Sequence, residues 1–136
     1  VLYISRVVHF EIPSDNPEKT VGFYEGVFGW KFNKWDGPMD YWLIETGEEG
    51  TPGINGGLMK RQQEAQSVVN TIDVSSVDEF IQKVTDAGGT IAVPKMTIPS
   101  VGYIAYFLDT DGNMFGIIEH DESVVVDESA ECQTEA

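Results

Sequence analysis

Apolar residues in the first half of the chain change from the spacing of a strand to the spacing of a helix and back again. A β-rich run at residues 7–12 ends at Pro13, and the polar residues that follow are types that cap helices. Apolar residues then recur at helical spacing, which predicts a helix over Pro17–Phe28 that ends at Gly29. Three further strands are predicted at residues 30–35, 40–45 and 54–60.

The second half repeats this order. A predicted strand at residues 67–74 precedes a helix that is capped by Ser75 or Ser76 and ends at Gly88-Gly89. Further strands are predicted at residues 90–93, 103–108 and 113–119, with a hairpin turn at residues 109–112. The glycines that end the two helices, Gly29 and Gly89, lie 60 positions apart. The repeat therefore indicates two similar modules.

Each module would have a sheet face that it cannot bury alone. The sequence thus predicts an α+β fold in which two βαβββ modules, at about residues 1–63 and 64–122, pair into a curved mixed sheet around a concave groove. We expect one domain over residues 1–122, followed by an acidic tail at residues 123–136.

The charge balance limits the kinds of partner that this protein is expected to bind. The 136 residues include 23 acidic and 8 basic side chains, for a formal net charge of −15. Nucleic acid and anionic membrane surfaces are disfavoured, because both attract clustered Lys and Arg. Cys132 is the single cysteine, which excludes an intramolecular disulfide and a multi-cysteine zinc site. No signal peptide or apolar span is recognised, so we expect a cytoplasmic protein.

Several motifs occur in a characteristic order. They are His9-Phe10-Glu11-Ile12, Phe23-Tyr24, Val27-Phe28-Gly29-Trp30, Ala87-Gly88-Gly89 and Asp109-x-Asp111-Gly112-Asn113. Over about residues 5–120 they resemble the vicinal oxygen chelate superfamily, which includes glyoxalase I, bleomycin-resistance proteins and extradiol dioxygenases. The resemblance implies the glyoxalase/bleomycin-resistance/dioxygenase fold, in agreement with the repeat, and a homodimer.

The same resemblance implies a divalent metal held by up to four side chains. The corresponding positions here are His9, Gly57, Val69 and Gly116. Only His9 has a ligating side chain, whereas a catalytic zinc needs about three protein ligands. We therefore expect no cofactor, and a divalent metal stays an alternative only in a rearranged site of His9, Glu11 and His120.

Strand alternation places His9 and Glu11 on one face of the first strand, away from Phe10. On that face the two side chains could act as a general base or form hydrogen bonds to a ligand. Alternatively, His9 could be hydrogen-bonded within a polar groove and have no catalytic role. Glycines at Gly56, Gly57 and Gly116 widen a groove or allow close packing. The candidate catalytic residues are His9 and Glu11, and the predicted ligand-binding residues are Asn55, Gly57, Met59, Thr71, Met114 and Gly116. Tyr41 or Trp42 is expected to add an aromatic wall.

The sequence favours a protein that binds an unidentified small molecule in this groove without the usual four-ligand metal site. One alternative is a lyase, isomerase or dioxygenase that acts on an oxygen-bearing substrate through His9. Another is a dimeric interaction or regulatory module.

Overall fold

The computed structural model describes residues 5–124. The elements of the first half are β1 (Val7–Ser14), α1 (Pro17–Phe28), β2 (Lys31–Lys34), β3 (Tyr41–Glu45) and β4 (Asn55–Lys60). Those of the second half are β5 (Val69–Asp73), α2 (Val77–Asp86), β6 (Thr90–Ile98), β7 (Gly102–Leu108) and β8 (Met114–His120). The predicted α+β class and the repeated βαβββ order are confirmed.

The described chain forms two compact units. In the unit Val8–Asn70 the strand order is β2-β3-β4-β1, with β1 parallel to β4 and β3 antiparallel to both of its neighbours. The second unit comprises residues 5–7 and 71–124, with the strand order β5-β8-β7-β6, in which β7 runs antiparallel to β8 and β6.

The ends of α1 are set by local chemistry that the sequence predicts. The Asn16 side chain accepts a hydrogen bond from the Lys19 backbone N–H, and Pro17 occupies the first turn. Gly29 ends the helix with a positive φ of 73°, and its N–H donates to the Glu25 carbonyl. This left-handed conformation explains why glycine stands there.

A hydrophobic core lies between α1 and one face of its sheet. Its buried members are Ile12, Ile44 and Leu58, and the half-buried side chains packed against them are Phe10, Val21, Tyr24, Trp30, Phe32 and Trp42. Three apolar side chains of α1 are exposed, namely Phe23, Val27 and Phe28. The side of the strands that α1 covers is therefore the hydrophobic core, and the opposite side is available for a functional site.

The second unit is built in the same way. Ser76 caps α2 by accepting from the Glu79 N–H, so the second of the two predicted caps is correct. Val74, Val77, Ala105 and Ile117 form the buried core beneath this helix.

One strand is longer than predicted. The sequence predicts a strand over residues 90–93, yet β6 continues through Pro94, which cannot donate to a ladder, as far as Ile98. The pairing of β6 with β7 is irregular on both sides of Val93, and β6 is the outermost strand of its unit. An edge strand with bulges tolerates proline. The prediction failed because sequence alone does not identify the edge.

Part of the predicted acidic tail lies outside the described residues, including Cys132. Val124 is described, is buried, and accepts a hydrogen bond from the Ser100 N–H through its carbonyl.

The predicted hairpin turn at residues 109–112 is present between β7 and β8. The Asp109 carboxylate accepts hydrogen bonds from the backbone and side chain of Asn113 and from the Asp111 N–H, and these bonds lower the pKa of Asp109. A lowered folded pKa stabilises the turn above the ordinary Asp pKa of about 3.9, and this stabilisation is lost as pH falls through the lowered value. A carbon-13 titration of the carboxyl group should show a midpoint below the ordinary value. A midpoint at or above it would contradict this assignment.

Candidate functional site

The two faces of β1 have different environments. Phe10 and Ile12 pack into the core under α1. Because side chains alternate along a strand, His9 and Glu11 project from the opposite face. His9 is half-buried and Glu11 is 8% exposed. The predicted separation of these two residues from the hydrophobic core is therefore seen in the structure.

A tyrosine from β3 joins these two side chains. The Tyr41 hydroxyl lies 2.8 Å from His9 Nε2 and donates a 3.0 Å hydrogen bond to Glu11 Oε2. The His9 and Tyr41 rings are nearly parallel, with an angle of 11° between their planes. We call His9, Glu11 and Tyr41 the relay cluster.

The direction of the hydrogen bonds in the relay cluster follows from the donors available. A phenol has one proton to donate, and an ionised Glu11 carboxylate can only accept, so the proton is assigned to the bond between Tyr41 and Glu11. The Tyr41 oxygen must then accept from His9 Nε2, which assigns the proton of a neutral imidazole to Nε2. The cluster is a continuous chain from imidazole through phenol to carboxylate, along which a proton can move.

Gly57 makes room for this chain. Strand β4 lies between β3 and β1, so the Tyr41 side chain must cross β4 to reach Glu11, whose register partner is Gly57. A Cβ at position 57 would stand 1.9 Å from the Tyr41 hydroxyl oxygen and 2.1 Å from the ring carbon that bears it. The space created by the missing side chain is thus occupied by the phenol.

The loop between β2 and β3 supports the tyrosine ring. The Trp35 ring contacts the Tyr41 ring edge to face, with centroids 6.2 Å apart. The Trp35 backbone N–H also donates a hydrogen bond to the Tyr41 backbone carbonyl. Gly37 lies directly against the Trp35 ring, where a Cβ would come within 2.2 Å. Residues 34–40 also line an open depression of about 390 Å³. A small molecule in this depression would meet Trp35, which contacts the relay cluster.

A related arrangement occurs within the second unit. Tyr106 is the register partner of Gly116, and a Cβ at position 116 would lie 3.1 Å from both the Tyr106 ring and Thr71 Oγ1. Thr71 is fully buried, and its hydroxyl has no hydrogen-bond partner within the described part of the chain. Gly116 therefore stands beneath a tyrosine ring, as Gly57 does.

Three further residues predicted to bind a ligand, Asn55, Met59 and Met114, lie at different positions in the fold. The Asn55 side chain accepts bonds from the Thr46 backbone N–H and hydroxyl, which ties β4 to the end of β3. Met59 is half-buried and is the register partner of Tyr41. Met114 is 38% exposed at the start of β8.

His120 and Glu119 end the same strand on opposite faces. His120 is exposed and lies 3.2 Å from Asp73, as an ion pair when protonated. Glu119 instead accepts a hydrogen bond from the Val77 N–H at the start of α2.

The third glycine matches the second of the two alternatives left by the sequence, which is close packing. Gly56 faces the core, where a Cβ would come within 2.8 Å of the Phe10 ring. Adjacent residues of a strand point to opposite faces, so only one of the pair can face the relay cluster.

The residues at the four implied metal-ligand positions do not fit a four-ligand chelate. Gly57 and Gly116 have no donor, Val69 is an apolar side chain, and the phenol of Tyr41 fills the space above Gly57. Within residues 5–124 no group of three or more His, Cys, Asp or Glu side chains could hold a metal ion.

Three aromatic residues in these arrangements are not assigned by the sequence alone. The sequence leaves Tyr41 and Trp42 as alternatives, and Trp42 proves to pack in the core. It does not single out Trp35 or Tyr106. The signal for the two tyrosines is an aromatic residue on one strand and a glycine on the same face of the next, which can be recognised only once the strand register is known.

No helix in the described residues is long and apolar enough to cross a membrane.

The comparisons with known proteins agree with this architecture. None of the curated proteins matches the chain. A hypothetical protein from Bacillus halodurans C-125 superposes with a TM-score of 0.68 at 16% identity, covering 91% of this chain and all of that one. A methylmalonyl-CoA epimerase in complex with methylmalonyl-CoA and NH4+ superposes with a TM-score of 0.67 at 13% identity, covering 91% of this chain and 100% of that one. Methylmalonyl-CoA epimerase from Mycobacterium tuberculosis superposes with a TM-score of 0.65 at 14% identity, covering 90% of this chain and 95% of that one.

At these identities the structural likeness concerns the fold alone. The sequence evidence is more specific, because the model of the Glyoxalase/Bleomycin resistance protein/Dioxygenase superfamily matches residues 6–117. The chain belongs to the Glyoxalase/Bleomycin resistance protein/Dioxygenase superfamily.

Proposed function

We propose that this protein binds a small molecule at the relay cluster, on the face of β1 and β3 that points away from α1, without a four-ligand metal site. The observation that carries the proposal is the hydrogen-bonded chain from His9 through Tyr41 to Glu11. A few convergent polar groups beside aromatic side chains are typical of small-molecule sites. Trp35 provides the adjacent aromatic surface.

The same chain supports a second candidate function, proton transfer to or from the bound molecule. A general acid or base must hold its proton at a defined atom within hydrogen-bond reach of its partner. The relay cluster meets this requirement, because the phenol accepts from His9 and donates to Glu11. Methylmalonyl-CoA epimerases share the fold, so methylmalonyl-CoA is a reasonable first substrate to test.

Binding is tested by native mass spectrometry of protein purified without chelator, followed by ligand-observed NMR with a library of carboxylic acids and thioesters. We expect at least one bound molecule, and we expect Tyr41→Phe to weaken its binding by about 10- to 100-fold, since one hydrogen bond to a charged group contributes about 1.5–3 kcal/mol. Tyr24→Phe is the matched control, because it removes the same hydroxyl group from a tyrosine that packs in the core beneath α1, on the other side of the sheet. Equal binding by wild type and Tyr41→Phe would contradict the site assignment.

Catalysis is tested separately by incubating the protein with methylmalonyl-CoA in D2O and following loss of the α-proton by NMR. Exchange that requires both His9 and Tyr41 would support proton transfer. Binding without exchange would favour the binding function for this substrate.

The other expectations from the sequence stay predictions. They are the homodimer, the cytoplasmic location, the domain limits at residues 1–122, and the ligand contacts of Asn55, Gly57, Met59, Thr71, Met114 and Gly116.

A further inference from the structure

We propose that Tyr41 is a positioning residue that keeps divalent metal out of the His9–Glu11 pair, and that Gly57 is required for it to do so. The inference rests on the proposed metal-free use of the site. It concerns what the phenol excludes and does not depend on which small molecule binds.

His9 and Glu11 are by themselves a potential two-residue chelate. They are an imidazole and a carboxylate on the same face of one strand, two positions apart. Both groups are common ligands of zinc and related ions. Their side chains converge on a single point, since His9 Nε2 and Glu11 Oε2 lie 2.8 and 3.0 Å from the same oxygen atom.

That oxygen is the Tyr41 hydroxyl, so the phenol occupies the place that an ion bridging the two side chains would need. Zinc lies about 2.0–2.2 Å from nitrogen and oxygen ligands. Contraction of the pair around an ion would therefore require the phenol oxygen to leave. The hydrogen bonds that it makes to both side chains oppose this movement.

Gly57 connects this exclusion to the missing ligand. Position 57 is one of the positions at which the superfamily resemblance implies a metal-binding side chain, and here any side chain would collide with Tyr41. The absence of a donor at position 57 and the presence of a phenol above it are thus one structural change. In this chain the Tyr41 hydroxyl holds His9 and Glu11 together in place of an ion.

The test is a metal titration with Zn²⁺ or Co²⁺ alone, in competition with a chromophoric chelator that suppresses weak binding to acidic surface residues. The proteins are wild type, Tyr41→Ala and the double variant Tyr41→Ala with Gly57→Glu. Each is also prepared with His9→Ala, so that only binding that depends on His9 is counted. Leu43→Ala serves as the control for removal of a side chain from the same face of β3.

We expect no His9-dependent binding by wild type or Leu43→Ala. Tyr41→Ala should gain one equivalent of metal, and the double variant, with three donors, should bind at least tenfold more tightly than Tyr41→Ala. The Co²⁺ absorption spectrum should report nitrogen and oxygen ligands in the variants only. This spectroscopic signature would not change if Tyr41 had only a packing role.

Two results would overturn the inference. One is a stoichiometric, His9-dependent ion in the wild-type protein. The other is a folded Tyr41→Ala variant, verified by circular dichroism, that binds no more metal than wild type. The wild-type measurement keeps the inference falsifiable if Tyr41→Ala fails to fold. Failure of the proposed function would appear differently, as small-molecule binding that is indifferent to Tyr41→Phe.

Discussion

Replacement of Gly57 by alanine is expected to expel the Tyr41 ring from the relay cluster and to break both of its hydrogen bonds. The added methyl group would stand 1.9 Å from the phenol oxygen, and the strand backbone on which it is built cannot move aside without breaking its pairing with β1 and β3. Overpacking of this kind costs about 1–3 kcal/mol of unfolding free energy. The nitrogen-15 shifts of the His9 imidazole should become those of the Tyr41→Phe variant, because both changes remove the same hydrogen bond.

The control for this substitution is Gly22→Ala. Gly22 lies in α1, where an added methyl group would have no other atom within 4 Å, so alanine there should stabilise the helix by about 0.5–1 kcal/mol. It should leave the His9 resonances unchanged. If Gly57→Ala also left them unchanged, the close contact between position 57 and the phenol would be refuted.

Replacement of Leu58 by alanine is expected to have the larger effect on stability, although Leu58 is the next residue of the same strand. Its side chain points to the other face, where it is 0% exposed in the core beneath α1. Truncating this buried side chain leaves a cavity and costs about 2–5 kcal/mol of unfolding free energy. Urea denaturation followed by circular dichroism measures this loss directly.

The matched comparison is again Leu43→Ala, which truncates the same residue type at a 46% exposed position and should change the unfolding free energy by no more than about 0.5 kcal/mol. A similar loss for both leucines would mean that the two faces of this sheet are not distinguished as described. The His9 resonances should be preserved in folded Leu58→Ala protein, because Leu58 does not face the relay cluster.

The sequence predicts the elements well because their signals are local. The limits of α1 follow from Asn16, Pro17 and Gly29, which act through hydrogen bonds and backbone conformation within a few residues. Strand alternation likewise places His9 and Glu11 opposite Phe10 without any knowledge of the rest of the chain. The repeat of 60 residues adds the order of the elements.

The site is less predictable because its central contact is not local. Tyr41 reaches across β4 to residues 30 and 32 positions away, and this requires both the strand order and the register. The glycines show the same limit, since the alternatives of a wider groove and close packing differ only in what fills the space. At Gly57 and Gly116 that space faces a tyrosine ring, which no pattern within a single strand could show.

The contact between Gly57 and Tyr41 also constrains which residues natural relatives can combine at these two positions. A side chain at position 57 and a ring oriented like that of Tyr41 would overlap. A relative with a larger residue at position 57 therefore needs a different residue, or a different ring orientation, at position 41. Among natural relatives of this chain, a tyrosine in this orientation should always co-occur with glycine at the facing position, whereas glycine there can exist without the tyrosine.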